Sequence, residues 1–375
     1  MHFFDLKATP LVLLFLLISL CFTGNALAQA SSSVNKEPWS VGINGYYGAL
    51  FRYRSGLSAV NFTHPAGVEV YANRHTLGKR HWERKFGLPQ IGFALSYYNY
   101  GVPHELGEAV SLTSYLDKAI LEHGRSSLRF NFGTGIVYST RYYVPETNEG
   151  NMAIGSMFTF ALRGTLRYEF PISKRSFMNV NFAFRHFSNG GLNQPNNGMN
   201  FPLVGLGVRY QPREPRPVKA VDSVFTPAQK GIHLNLRLGM GVKEVLRIDS
   251  KHPVYNLSVY ASKKISQTNA FLVGLDARFD TALREEYINK ALAVPEGKID
   301  PRMAGVTIGH ELQLNDISFI FQLGRYIHQP HGLFPNYYQR YGLKYSITRH
   351  LSANAVLLAH TRTANVIEWG IGFHL

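Results

Sequence analysis

A chain of 375 residues with 17% charged residues, 13% aromatics, 34 glycines and 21 tyrosines is poor in charge and rich in rings for a water-soluble protein. Its formal charge of +15 points to anionic envelope lipids and excludes a nucleic-acid partner, since no basic run carries the interleaved aromatics of a single-strand platform. The one cysteine, Cys21, excludes an internal disulfide, and its place in an expected leader leaves the exported chain without a thiol nucleophile or thiolate metal site.

Residues 1–28 read as a cleavable secretory signal. Lys7 precedes an apolar core at 11–22, and Ala26-Leu27-Ala28 supplies the small-x-small cleavage pattern. A core of about a dozen residues is too short for a spanning helix. Beyond it no long apolar run recurs. Segments of about ten residues alternate with period two between Gly, Pro, Asn and Asp breaks, the signature of membrane-spanning strands. Candidate strands cover 39–53, 66–73, 90–100, 108–121, 128–138, 152–170, 178–188 and 200–210. A second set covers 232–245, 254–264, 270–279, 303–314, 317–326, 338–347, 350–359 and 366–375.

Backbone groups in lipid must all be paired, so strands cross a bilayer only in a closed sheet. The expected fold is all-β: a transmembrane antiparallel β-barrel of about 14–16 strands in one barrel. The alternative is an eight-stranded barrel followed by a second set of strands. Residues 29–212 form the first half, a proline-rich connector covers 213–230, and 231–375 supply the C-terminal strands. Each half ends in a His-bearing strand, a turn and a Gly-aromatic strand, from His186 to Tyr210 and from His360 to Leu375. In that last strand Ile367, Trp369, Ile371, Phe373 and Leu375 share one face, and Glu368, Gly370, Gly372 and His374 the other. The apolar face is expected toward lipid and the polar face toward the lumen.

The densest chemistry is the block Arg185–Asn200, RHFSNGGLNQPNNGMN. His186 and Ser188 are two apart, so on a strand they share a face, about 6.6 Å apart along the chain. Met178, Val180, Phe182 and Phe184 lie on that face, so the imidazole and hydroxyl extend the lipid-facing stripe at the strand's end. Asn200 shares parity with Val204, Leu206 and Val208 and projects the same way. Polar side chains facing lipid are costly, which favours a functional role. If the first strand rises from the periplasm, these residues meet the outer leaflet.

The run His186-Phe187-Ser188-Asn189-Gly190-Gly191, followed by Gln194-Pro195-Asn196 and Gly198, resembles the lipid A 3-O-deacylase (PagL-like, acyloxyacyl hydrolase) family. Fainter likeness extends through Pro89-Gln90-Ile91-Gly92-Phe93 and Glu105-Leu106-Gly107. The resemblance implies an outer-membrane barrel, exported by its signal, that hydrolyses an ester-linked acyl chain of lipid A within lipopolysaccharide. Outer-membrane lipids are its surroundings, and no metal or organic cofactor is implied. It makes Ser188 the nucleophile and His186 the general base. Asn189 with backbone near Gly190 and Gly191 become the oxyanion donors. The family's acidic residue falls twelve positions after the serine, where this chain has Asn200. An amide orients imidazole without offsetting its positive charge. Glu146 and Glu149 are candidate substitutes for the missing carboxylate.

Arg54 and Arg141, in loops expected on the outer side, are the candidates for contact with lipid A phosphates. The basic run His75, Lys79, Arg80, His81, Arg84 and Lys85 is expected in a solvated periplasmic turn. His328 and His331 lack the further ligands of a metal site. The second His-bearing hairpin, with Arg362 in the serine's place and Glu368 toward the lumen, reads as wall.

Overall fold

The computed structural model describes residues 37–51, 63–215, 231–246, 248–290, 292, 299–361 and 363–375. The expected leader, Arg54, most of the connector and Arg362 lie outside the described residues.

The first eight strands are β1 (Trp39–Gly48), β2 (Ala66–His75), β3 (Gln90–Asn99), β4 (Glu108–His123), β5 (Ser126–Ser139), β6 (Phe158–Pro171), β7 (Ser176–Ser188) and β8 (Met199–Tyr210). The second eight are β9 (Ile232–Val245), β10 (Ile248–Ser266), β11 (Asn269–Asp280), β12 (Arg302–Leu314), β13 (Ile317–His328), β14 (Tyr337–Ser346), β15 (Leu351–His360) and β16 (Thr363–His374). Among the described residues two short helices, α1 (His81–Lys85) and α2 (Leu283–Asn289), sit in loops. Among the described residues no helix is long and apolar enough to cross a membrane.

The barrel class and the strand number hold, but the expected single barrel does not. The sheet closes twice, into β1–β8 and β9–β16, which is the eight-stranded alternative. β8 turns back onto β1, pairing Val41 with Tyr210 and Gly48 with Leu203. β16 turns back onto β9, pairing Trp369 with Met240. Outward apolar alternation is the same for either closure. What distinguishes them is the lumen, since eight strands enclose just enough room for side chains to fill.

The inward residues fill it. In the first barrel Glu69 lies between Arg163 at 3.0 Å and Arg185 at 3.4 Å. Asp117 takes Arg167 at 2.6 Å, and Glu169 takes Arg209 at 2.9 Å. In the second, Asp280 binds Lys243 at 2.9 Å and Arg278 at 2.7 Å, and Asp276 pairs with Arg340. Charges taken out of water stand only when matched in this way. Tyr46, Tyr71, Tyr98 and Tyr115 occupy the remaining space in the first barrel, and Tyr260, Tyr326 and Tyr338 in the second. Such packing makes each interior a core rather than an open channel.

The barrels touch along their sides. At the rim carrying loop 189–198, here the upper rim, Glu244 N donates to Gly191 O at 3.1 Å, and Lys251 Nζ donates to Leu192 O. Lower down, the ring centroids of Phe160 and Trp369 lie 6.4 Å apart. At the opposite rim Lys85 Nζ, on α1, donates to Ser266 Oγ at 2.9 Å and Thr268 Oγ1 at 2.7 Å. The basic run is therefore more than a solvated turn. His75 is buried against Ser40 Oγ at 3.1 Å, and Lys85 tethers the second barrel.

Candidate active site

β7 and β8 place the site by putting opposite chemistries on opposite faces. Their inward residues Phe187 and Phe201 are wholly buried and meet edge to face, with centroids 5.0 Å apart. Tyr98 packs edge-on against both, at 5.9 and 5.4 Å. Arg185, also inward, donates through Nε to Tyr98 Oη at 3.0 Å. These contacts lock the strand ends, and the pleat turns the intervening His186, Ser188 and Asn200 outward. The same outward stripe carries Phe182, Val204 and Leu206, all strongly exposed.

His186 and Asn200 are direct cross-strand partners. Their side chains meet, with His186 Nδ1 2.8 Å from Asn200 Oδ1. An amide oxygen only accepts, so Nδ1 carries the ring proton and the Nε2 lone pair is left to take another. The loop has room for this ring because residue 198 is glycine. A Cβ there would stand 2.9 Å from His186 Cε1, and the backbone adopts φ +74°.

Ser188 is held by a different group. Asn196 Nδ2 donates to its Oγ at 2.9 Å, and Gly190 N donates at 3.2 Å. Asn196 Oδ1 in turn accepts from Asn189 N at 3.1 Å, which fixes the amide plane. No hydrogen bond joins His186 to Ser188 among the described residues. Two groups one strand pleat apart meet only when a side chain rotates or a substrate bridges them, and catalytic contacts are often open in empty sites.

Two family matches bear on this arrangement. Residues 66–209 match the family model for lipid A 3-O-deacylase (PagL), and residues 232–375 match that for acyloxyacyl hydrolase, C-terminal domain. The chain belongs to the PagL family. The two PagL matches fall one on each barrel, and the family and the fold together indicate an outer-membrane protein. Among solved structures, the outer membrane enzyme PagL is similar at 16% identity, covering 44% of this chain and 97% of its own, with a TM-score of 0.31. Mutant forms of the Rhodopseudomonas blastica porin are similar at 8% identity, one covering 90% of this chain and 100% of its own with a TM-score of 0.19. No curated protein matches the chain.

At this candidate site the sequence-derived residues separate into three groups. His186, Ser188 and Asn200 share the outward face at the upper rim, and Gly190 N reaches the hydroxyl. The Asn189 side chain does not serve as the expected oxyanion donor. It is buried, with Nδ2 donating to Ser156 Oγ at 3.1 Å and Asn193 O at 2.9 Å. Its Oδ1 accepts from Gly191 N at 3.0 Å, so the Gly191 amide is engaged as well. Both hold the loop in shape. Arg141, Glu146 and Glu149 are exposed in the β5–β6 loop, and none contacts His186 or Ser188 among the described residues. The residue that sequence reasoning passed over is Asn196. Its signal was present in the block Gln194-Pro195-Asn196, but nothing in strand parity shows that a loop amide folds back eight residues onto the hydroxyl.

Proposed function

We propose that this chain is an outer-membrane serine esterase that removes an ester-linked acyl chain from lipid A, with lipopolysaccharide as its substrate. Ser188 Oγ attacks the ester carbonyl carbon as its proton passes to His186 Nε2. Asn200 holds the imidazole by its Nδ1 proton, and Asn196 Nδ2 with Gly190 N donates to the oxyanion. The tetrahedral intermediate collapses by breaking the carbon–oxygen bond to the sugar, whose oxygen takes the proton from His186. Water then cleaves the acyl-serine by the same route in reverse, releasing a fatty acid and restoring Ser188. Every bonding electron pair is accounted for without a metal or redox partner.

The observation that carries this reading is the 2.8 Å contact of His186 with Asn200 on the outward wall, beside Ser188. A hydrolase of soluble esters gains nothing from a base and hydroxyl that face hydrocarbon. A substrate anchored in the leaflet arrives from that side. The reading includes export by residues 1–28 and a division of the chain at the connector, 213–230.

Lipid A from cells producing the wild-type chain should lose one ester-linked acyl chain by mass spectrometry, and lipid A from cells producing Ser188→Ala should keep it. A fluorophosphonate should label Ser188 and fail on His186→Ala. Intact lipid A in both strains, with no labelling, refutes the proposal.

A further inference from the structure

Barrel 1 leaves Ser188 open on its outward face, and barrel 2 stands against one flank. Ser188 pairs across the sheet with Phe160 on β6. The neighbours of Phe160 on that outward stripe, Phe158 and Leu162, are 65% and 42% exposed, whereas Phe160 is half-buried under Trp369 of β16. Just above, a Cβ on Gly190 would stand 2.4 Å from Ile367 Cδ1 and 3.7 Å from Leu357 Cδ1. A Cβ on Gly191 would stand 2.6 Å from Asn365 O. At the two glycines that follow Asn189 the second barrel thus leaves no room for a side chain.

These contacts define a seam with a direction. β16 descends from the upper rim through Ile367, Trp369 and Ile371, and β6 descends beside it through Phe160 and Leu162. All five outward side chains are apolar. Trp369 keeps half its surface free, and that surface lines a cleft of about 720 Å³ on the outer wall of the second barrel, with Met240, Tyr255, Leu257 and Phe279. The seam begins at Phe160, the cross-strand partner of Ser188, and reaches through Trp369 to that cleft, an apolar path suited to hydrocarbon.

We propose that β16 of the second barrel forms one wall of the acyl subsite of the Ser188 centre. The hydrocarbon chain of the ester lies along this seam, over the outward faces of Phe160, Ile367 and Trp369, and Trp369 sets the preference for long chains. The inference rests on the hydrolase reading above, and it makes the second barrel part of the active site.

The test compares p-nitrophenyl butyrate with p-nitrophenyl myristate in detergent micelles. Trp369→Ala should lower the ratio of kcat/KM for the myristate to that for the butyrate at least about tenfold, with Trp369→Phe between. An unchanged ratio of the two esters, with Ser188→Ala inactive on both, overturns the subsite and leaves the hydrolase reading standing. A second measurement is independent of turnover: a myristoyl ester carrying a terminal diazirine, photolysed with Ser188→Ala protein. Adducts are expected on residues 367–371, and their absence overturns the inference. Adducts there, with a wild-type chain inactive on every ester, support the acyl subsite and sink the nucleophile assignment.

Discussion

Asn200 offers the sharpest test of the catalytic proposal, because replacing it by aspartate changes charge and almost nothing else. The His186–Asn200 contact of 2.8 Å already supplies geometry and tautomer. When His186 takes the serine proton, an imidazolium forms within about 4 Å of the new carboxylate. At an effective dielectric constant of about 20 their attraction is about 4 kcal/mol. The neutral amide contact it replaces contributes about 1 kcal/mol, and desolvating the carboxylate takes back another one to two. A net gain of roughly 1.4 kcal/mol corresponds to about tenfold in kcat. Asn200→Ala removes the orienting acceptor, and a loss on the order of a thousandfold is expected, by analogy with triads whose imidazole is left in the wrong tautomer. The assay is steady-state hydrolysis of a soluble p-nitrophenyl ester in micelles. An alanine variant with wild-type kcat refutes the role of Asn200. An aspartate variant slower than wild type, with the fold intact, refutes the claim that His186 becomes charged in the rate-limiting step.

Three further outcomes follow from individual contacts. Asn196→Ala removes the 2.9 Å donor to Ser188 Oγ and should lower kcat about a hundredfold or more with KM little changed; a change confined to KM would remove Asn196 from the oxyanion site. Glu69→Gln leaves the Arg163 and Arg185 guanidinium groups without their shared carboxylate, which should cost about 3–5 kcal/mol; unfolding in urea, followed by gel mobility, should move to clearly lower denaturant, and an unshifted transition refutes the network's role. His331, in the loop between β13 and β14, accepts from Leu333 N at 3.2 Å, and burial holds its imidazole down to about 4. In the opened loop it regains a value near 6.5, so the open form binds more protons between the two and the loop loses stability as pH falls through that window. Hydrogen-exchange protection factors in residues 329–336, taken against the slower intrinsic exchange at low pH, should fall from pH 7 to pH 4.5, and equal protection at both refutes this.

Much of the wall was legible because one period governs it. Outward parity predicted that His186, Ser188 and Asn200 share a face, and the pleat places them there. Strand ends shifted where loops fold over the site. The stretch 152–157, expected in a strand, instead packs on loop 189–198, with Gly198 N donating to Ala153 O at 2.9 Å. The second closure was not legible from alternation, which records lipid and lumen but not which strand a free edge meets. A hint lay in the inward residues themselves. Glu69, Asp117, Arg163, Arg167 and Arg185 are large and of opposite sign, as a narrow, dry interior requires. The contribution of Asn196 and the approach of Ile367 to Gly190 depend on loop conformation and on the docking of two barrels, and neither leaves a periodic trace.

The asparagine at position 200 is also intelligible as a compromise set by where the site lies. His186 and Asn200 are half-buried in a stripe of Phe, Val and Leu that faces lipid. Before the reaction the imidazole is neutral, so a carboxylate beside it would be an unpaired charge with little water to solvate it, at a cost of about one to two kcal/mol at this half-buried position. An amide orients the ring without that penalty, at the expense of transition-state charge stabilisation. The same substitution that is expected to speed the enzyme should therefore weaken it: Asn200→Asp should unfold at lower denaturant than wild type at pH 8. A variant both faster and no less stable would mean that the upper rim is wetter than its packing suggests, and the seam between the barrels would then meet solvent rather than acyl chains.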